Sequence, residues 1–121
     1  MRFSLEIDYP IERISLSERR MRARRDFRYA DRVPVLPNLS RWYFLTIFRI
    51  GYGEFLKDAE TQYHWWLQFA KHRMENIPED FCQSTTVYVA PNFENVMNAD
   101  ALGGQIAWMD DKPPRVIPTI K

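Results

Sequence analysis

Apolar positions recur along this chain with several different spacings, and each spacing predicts a different element. From Asp58 onward, Tyr63, Trp66, Leu67, Ala70 and Met74 return every three or four residues, the signature of one helix face running to about Asn76. Asp58 is placed to cap that helix, Glu60 lies in its first turn, and Lys71, His72 and Arg73 lie near its last, each charge matched to the helix dipole. Trp65 and Phe69 widen the apolar face. Between Ser40 and Ile50 the apolar residues Trp42, Tyr43, Phe44, Leu45, Ile47 and Phe48 surround the axis, which predicts a helix buried on several sides. Ser40 is its expected cap and Gly51 its expected left-handed stop. Two runs have strand length: Val33-Pro34-Val35-Leu36, ended by Pro37, and the β-branched Thr85 to Val89, closed by Ala90-Pro91-Asn92. Pro34 cannot donate to a ladder, so it suits a first or edge strand.

The ends of the chain are more polar. Phe3, Leu5 and Ile7 share one face of an edge strand or arm from Arg2 to Tyr9. Ser15-Leu16-Ser17-Glu18 matches the capping box and predicts a charged helix through about Arg28, anchored by Met21 and Phe27. Near the other end, a short helix from Phe93 to Leu102 meets Gly103-Gly104. Gln105 to Trp108 and Arg115 to Ile117 then predict a hairpin joined by Asp110-Asp111-Lys112-Pro113-Pro114. The expectation is an arm over residues 1–14 and one α/β domain over residues 15–121, with two parallel strands separated by a long helical crossover.

Composition narrows the function classes. In 121 residues, 45% hydrophobic and 15% aromatic, there is enough apolar material for a core. Seventeen basic and sixteen acidic side chains nearly cancel, so the whole chain carries no electrostatic bias towards nucleic acid or an anionic membrane. Arg19, Arg20, Arg22, Arg24, Arg25 and Arg28 read as a solvated, ion-paired helix face interrupted by Glu18 and Asp26. A lone cysteine, Cys82, rules out an internal disulfide framework and reads as a buried, inert thiol. No apolar run reaches membrane-spanning length and no secretory leader is recognisable, so a cytoplasmic address is expected.

No glycine-rich phosphate loop, nucleophile elbow or dinucleotide fingerprint is present. His64 and His72 face about 80° apart on the long helix and make a poor metal pair, so no metal site is expected. Position supplies better candidates. If the two strands run parallel, their carboxyl ends bring Asn38, Ser40 and Arg41 near Asn92 and Glu94. Arg41 has the fork of donors to clamp a carboxylate or phosphate, and Glu94 can serve as acid, base or orienting acceptor. An Arg41 to Glu94 ion pair is the structural alternative. Trp42 and Tyr43 offer an apolar wall, or simply core.

Asp31-Arg32-Val33-Pro34-Val35, then Gly53-Glu54-Phe55-Leu56-Lys57-Asp58-Ala59-Glu60, a long helix, Phe93-Glu94, Ala101-Leu102-Gly103-Gly104-Gln105-Ile106 and Pro113-Pro114 resemble, in order and spacing, the N-terminal part of the uroporphyrinogen decarboxylase superfamily. The resemblance covers about residues 16 to 120. It implies the opening portion of a (β/α)8 TIM barrel, incomplete at this length because such a barrel takes about 250 residues. The family includes porphyrinogen decarboxylases and corrinoid-linked methyltransferases and O-demethylases.

Two features of the resemblance bear on function. Decarboxylases follow the first strand with Met-Arg-Gln-Ala-Gly-Arg-Tyr, whose arginines meet substrate carboxylates; here Asn38-Leu39-Ser40-Arg41-Trp42-Tyr43-Phe44 stands there, and ungapped both arginine positions are lost. The position of the decarboxylases' catalytic aspartate falls at Glu94. The resemblance therefore implies a member closer to the methyltransferases, in which Glu94 is the catalytic residue and Asn38, Ser40, Arg41, Trp42, Tyr43 and Asn92 contact a small-molecule substrate. This segment alone would bind no cofactor; corrinoid and zinc belong to the complete enzyme, whose zinc ligands come from later strands. Its partners would be the rest of the barrel, a second subunit or a second copy of itself. A non-catalytic interaction module, or true porphyrinogen decarboxylation, are the alternatives.

Overall fold

The computed structural model describes residues 4–81, 89, 92 and 96–118. The described residues form an α/β arrangement of five helices and a two-stranded antiparallel sheet. The helices are α1 Ile11–Arg25, α2 Arg41–Phe48, α3 Tyr52–Phe55, α4 Ala59–Asn76 and α5 Met97–Ala101; the strands are β1 Gln105–Ala107 and β2 Arg115–Ile117. Two compact units share these elements: Met1–Leu39 with Leu67–Tyr88, and Ser40–Trp66 with Val89–Lys121.

In the first unit, α1 starts four residues before the predicted capping-box serine. Pro10 precedes it, and the Ile14 N–H bonds to the Pro10 carbonyl, so the first turn closes without a side-chain cap. Its buried positions are Ile14, Ser17 and Arg20. Two of those three are polar, which an amphipathic pattern does not anticipate; both reach the same buried carboxylate, Asp80. The Arg13 guanidinium donates to the carbonyls of Met74 and Ile77, satisfying free carbonyls at the end of α4. Residues 4–10 form no regular element, and Glu6 and Asp8 are held at the backbone by Lys71 and Glu75.

The expected first strand is absent: no strand forms over Val33 to Leu36 among the described residues. Val35 is gripped by Asp80, its N–H donating to Asp80 Oδ2 at 2.8 Å and its carbonyl accepting from the Asp80 N–H at 2.8 Å, and the Val33 carbonyl accepts from Arg32 Nη1 at 3.0 Å. A strand needs a neighbour, and the second strand expected over Thr85 to Val89 lies almost wholly outside the described residues.

In the second unit, α2 begins as expected after Ser40, which makes no side-chain cap bond, and ends at Arg49 in the left-handed region (φ 56°). Gly51 is not the left-handed stop. It and Gly53 instead lie against the Asp110 side chain; a Cβ on Gly53 would sit 2.6 Å from Asp110 Oδ1. The Tyr52 N–H donates to the Asp110 carbonyl at 2.8 Å, tying the hairpin loop to the start of α3. Asp58 caps α4 as expected, accepting from the Thr61 N–H at 2.7 Å. The deepest positions of α4 are Gln62, Phe69 and Met74, while Tyr63 points outward, so its core face is rotated from the predicted one. The hairpin forms as expected, with Ile106 opposite Val116.

Three helices close with the same bond, from an N–H to the carbonyl five residues back: Arg28 to Ala23, Ile50 to Leu45 and Gly104 to Ala99. This closure needs a left-handed residue, filled by Phe27, Arg49 and Gly103 respectively. Only the third is glycine. For a side-chain-bearing residue that conformation costs about 1–2 kcal/mol.

Candidate functional site

The sequence-predicted site residues fall in both units. Asn38, in the first, is exposed; Glu94 lies outside the described residues. Ser40, Arg41, Trp42, Tyr43 and Asn92 belong to the second.

Within the second unit, the cap at Ser40 sets Arg41, Trp42 and Tyr43 on the first turn of α2. The Arg41 guanidinium carbon lies 5.4 Å from the centre of the Phe55 ring and 5.9 Å from that of Trp66, and those two rings meet edge to face at 5.9 Å. Phe55 is fully buried, so one face of the cation is fixed against a rigid apolar backing. Trp42 stacks on Tyr52 at 5.6 Å with half its surface still exposed, and Tyr43 packs edge-on to Phe44 at 5.1 Å. Trp42 is thus exposed, while Tyr43 joins the packing.

Asn92 enters through its backbone, its N–H donating to Gln62 Oε1 at 2.9 Å. Gln62 is completely buried, and its Nε2 has no hydrogen-bond partner among the described residues. Sequence reasoning passed over Gln62, although a polar residue four positions before Trp66 shares that tryptophan's side of the helix.

The first unit holds a second constellation that the sequence did not disclose. Asp80 is completely buried and met by two groups on each oxygen. Oδ1 accepts from Ser17 Oγ (3.0 Å) and Arg20 Nη1 (2.9 Å); Oδ2 accepts from the Val35 N–H (2.8 Å) and is ion-paired with Arg32 Nη1 (2.6 Å). Burial pushes its pKa up, but the Val35 N–H, Arg20, Ser17 and the Arg32 charge outweigh burial and hold it below the ordinary value. Arg20 extends the network, forking onto Asp31 at 2.8 and 2.5 Å and holding that carboxyl down to about 2. Beside it, Arg73 forks onto the buried Glu79 at 2.5 and 2.8 Å and covers the Phe81 ring at 4.8 Å. Held by three hydrogen bonds and an ion pair, Asp80 is a structural hub and not a free base.

Among the described residues, no group of three or more His, Cys, Asp or Glu is placed to hold a metal ion, and no helix is long and apolar enough to cross a membrane. His64 packs edge-on to Trp65 at 5.3 Å, and His72 meets Asn76 through its ring nitrogen at 3.4 Å. Compared with known proteins, the sequence matches no family model, no curated protein and no solved structure at a significant level.

Proposed function

We propose that this chain is the N-terminal segment of a uroporphyrinogen decarboxylase-like (β/α)8 barrel, closest in kind to the corrinoid-dependent methyltransferases and O-demethylases, and that it forms one wall of the substrate cleft. The observation that carries the reading is the state of Val33 to Leu36. Val33 is 82% exposed, Val35 52% and Leu36 41%, yet Asp80 grips both backbone groups of Val35. An apolar run held at its backbone by Asp80 and Arg32, with its valine and leucine side chains exposed, is what a barrel strand presents before its neighbours flank it. The Asp31 and Arg32 of the family-like motif serve that anchoring, through Arg20 and Asp80.

In the proposed cleft, Arg41 holds an anionic or strongly polar group of the substrate with its outer face, its inner face being set against Phe55 and Trp66. Trp42 supplies apolar contact, Ser40 and Asn92 flank the entrance, and Glu94 handles a proton on the group that loses its methyl. A bound corrinoid would supply the nucleophilic cobalt that receives the methyl group.

The test uses the assembly that contains this chain and follows methyl transfer to cobalt(I) cobalamin by absorbance. Glu94→Ala is expected to lower turnover by about 100-fold or more. Arg41→Lys, which keeps the charge and loses the fork, is expected to raise KM by about tenfold. Unchanged turnover with Glu94→Ala, or methyl transfer by the chain alone, overturns the reading; the first outcome favours a non-catalytic interaction module.

A further inference from the structure

The end of α1 carries a surface that the reading above does not use. From Arg19 to Arg32 there are seven arginines and no lysine. Arg20 and Arg32 are consumed by Asp31 and Asp80. Arg19, Arg22, Arg24, Arg25 and Arg28 are all exposed, against only Glu18 and Asp26 of opposite sign, and the Arg25 to Asp26 contact is a loose 3.5 Å. The net charge of +1 for the whole chain conceals this local excess.

Two rings stand among these cations. Phe27 is 98% exposed and Tyr29 100% exposed. Phe27 also holds the left-handed position that glycine fills at the end of α5, so an aromatic side chain is kept where both solvation and backbone geometry oppose it. Arg24 lines two shallow grooves, one running over Met21 to Phe27 and one of about 420 Å³ running along Arg28 and Tyr29 to Pro34.

We infer that this surface binds single-stranded nucleic acid, with bases stacked on Phe27 and Tyr29 and phosphates held by Arg22, Arg24, Arg25 and Arg28. A projecting ring with both faces bare suits a flat base, whereas an apolar side chain from a protein partner gains most in a concave pocket. Guanidinium forks match phosphate oxygens in pairs, which lysine does not. Nothing in this inference depends on the barrel reading.

The full chain is titrated with a fluorescein-labelled 12-mer of uridine, followed by anisotropy at several salt concentrations. The expected logarithmic salt slope is about −3, from roughly −0.7 for each of four phosphates. Arg24→Gln with Arg28→Gln is expected to flatten it by about 1.4. Phe27→Gly and Tyr29→Ser are expected to weaken binding at least fivefold each with the slope unchanged, since a ring carries stacking and no charge. Phe27→Gly also controls for folding, because it relieves the left-handed backbone and its melting temperature should not fall. No binding at low salt, ring variants that bind like the parent, or polyglutamate binding as tightly as the oligonucleotide each overturns the inference; the last identifies an acidic protein surface instead.

Discussion

The two units of this chain are held by different forces. The first is organised by charge: Asp80 under three hydrogen-bond donors and the Arg32 charge, Arg20 forked onto Asp31, Arg73 onto Glu79. The second is organised by rings: Trp42 on Tyr52, Phe48 beside Trp65 at 5.9 Å, and Phe55 against Trp66 under Arg41. Ring packing scales with apolar area and responds little to acid. A buried carboxylate hub is only as good as its complement of partners, and breaking it leaves charges stranded. One short chain thus contains a region tolerant of electrostatic change and a region intolerant of it. All four tryptophans lie in the second unit, so their emission reports on that unit alone.

The largest expected effects set the two forces side by side. Asp80→Ala should cost about 3–5 kcal/mol, because Arg20 and Arg32 lose their shared buried partner. Phe55→Ala should cost a similar amount, about 3–5 kcal/mol, through lost contacts and a cavity. Urea titration measures both, and amide exchange locates them: protection should fall in the first unit for Asp80→Ala and in the second for Phe55→Ala. Loss spread evenly over both units in either variant would break the contrast.

Acid should separate the units without mutation. The folded carboxyls of Asp31, at about 2, and Asp80, also lowered, sit below the ordinary unfolded value of about 3.9. Such groups bind fewer protons when folded, so their stabilisation is present above about pH 4 and is lost as pH falls from there towards about 2. Exchange protection in the first unit should disappear over that window before tryptophan emission changes. Asp58→Ala should be milder, about 1 kcal/mol, from the cap on Thr61. The smallest change runs the other way: Phe27→Gly should stabilise the first unit by up to about 1 kcal/mol, measured as a rise in Tm.

What could be read from the sequence follows the range of the interaction. The capped α4 and the hairpin of Gln105 to Ile117 were legible because their signals are local: an Asp three residues before an amide that needs it, and a turn cluster between apolar triplets. The face of α4 was misplaced because Gln62 is polar and still fully buried, held by an amide thirty residues away. Asp80 was invisible for the same reason, its partners Ser17 and Arg20 lying more than fifty residues earlier. Phe27, expected as an anchor, is the reverse case. Its backbone is fixed by the helix ending, and that geometry turns an apolar side chain to solvent. At the candidate site, Arg41 and Trp42 were named from position, but the ring backing that orients the cation, from Phe55 and Trp66, needed the folded chain.

The Asp80 hub also has a consequence for the order of events during synthesis. Its bonds to Ser17 and Arg20 span 63 and 60 residues, and Arg13 reaches 64 and 61 residues to the end of α4. A ribosome adding about 5–20 residues per second leaves α1 waiting several seconds, its arginines bare, before the carboxylate that receives them is made. α1 is then secured only after residue 80 has been made, and it stays open to proteases and chaperones until that point.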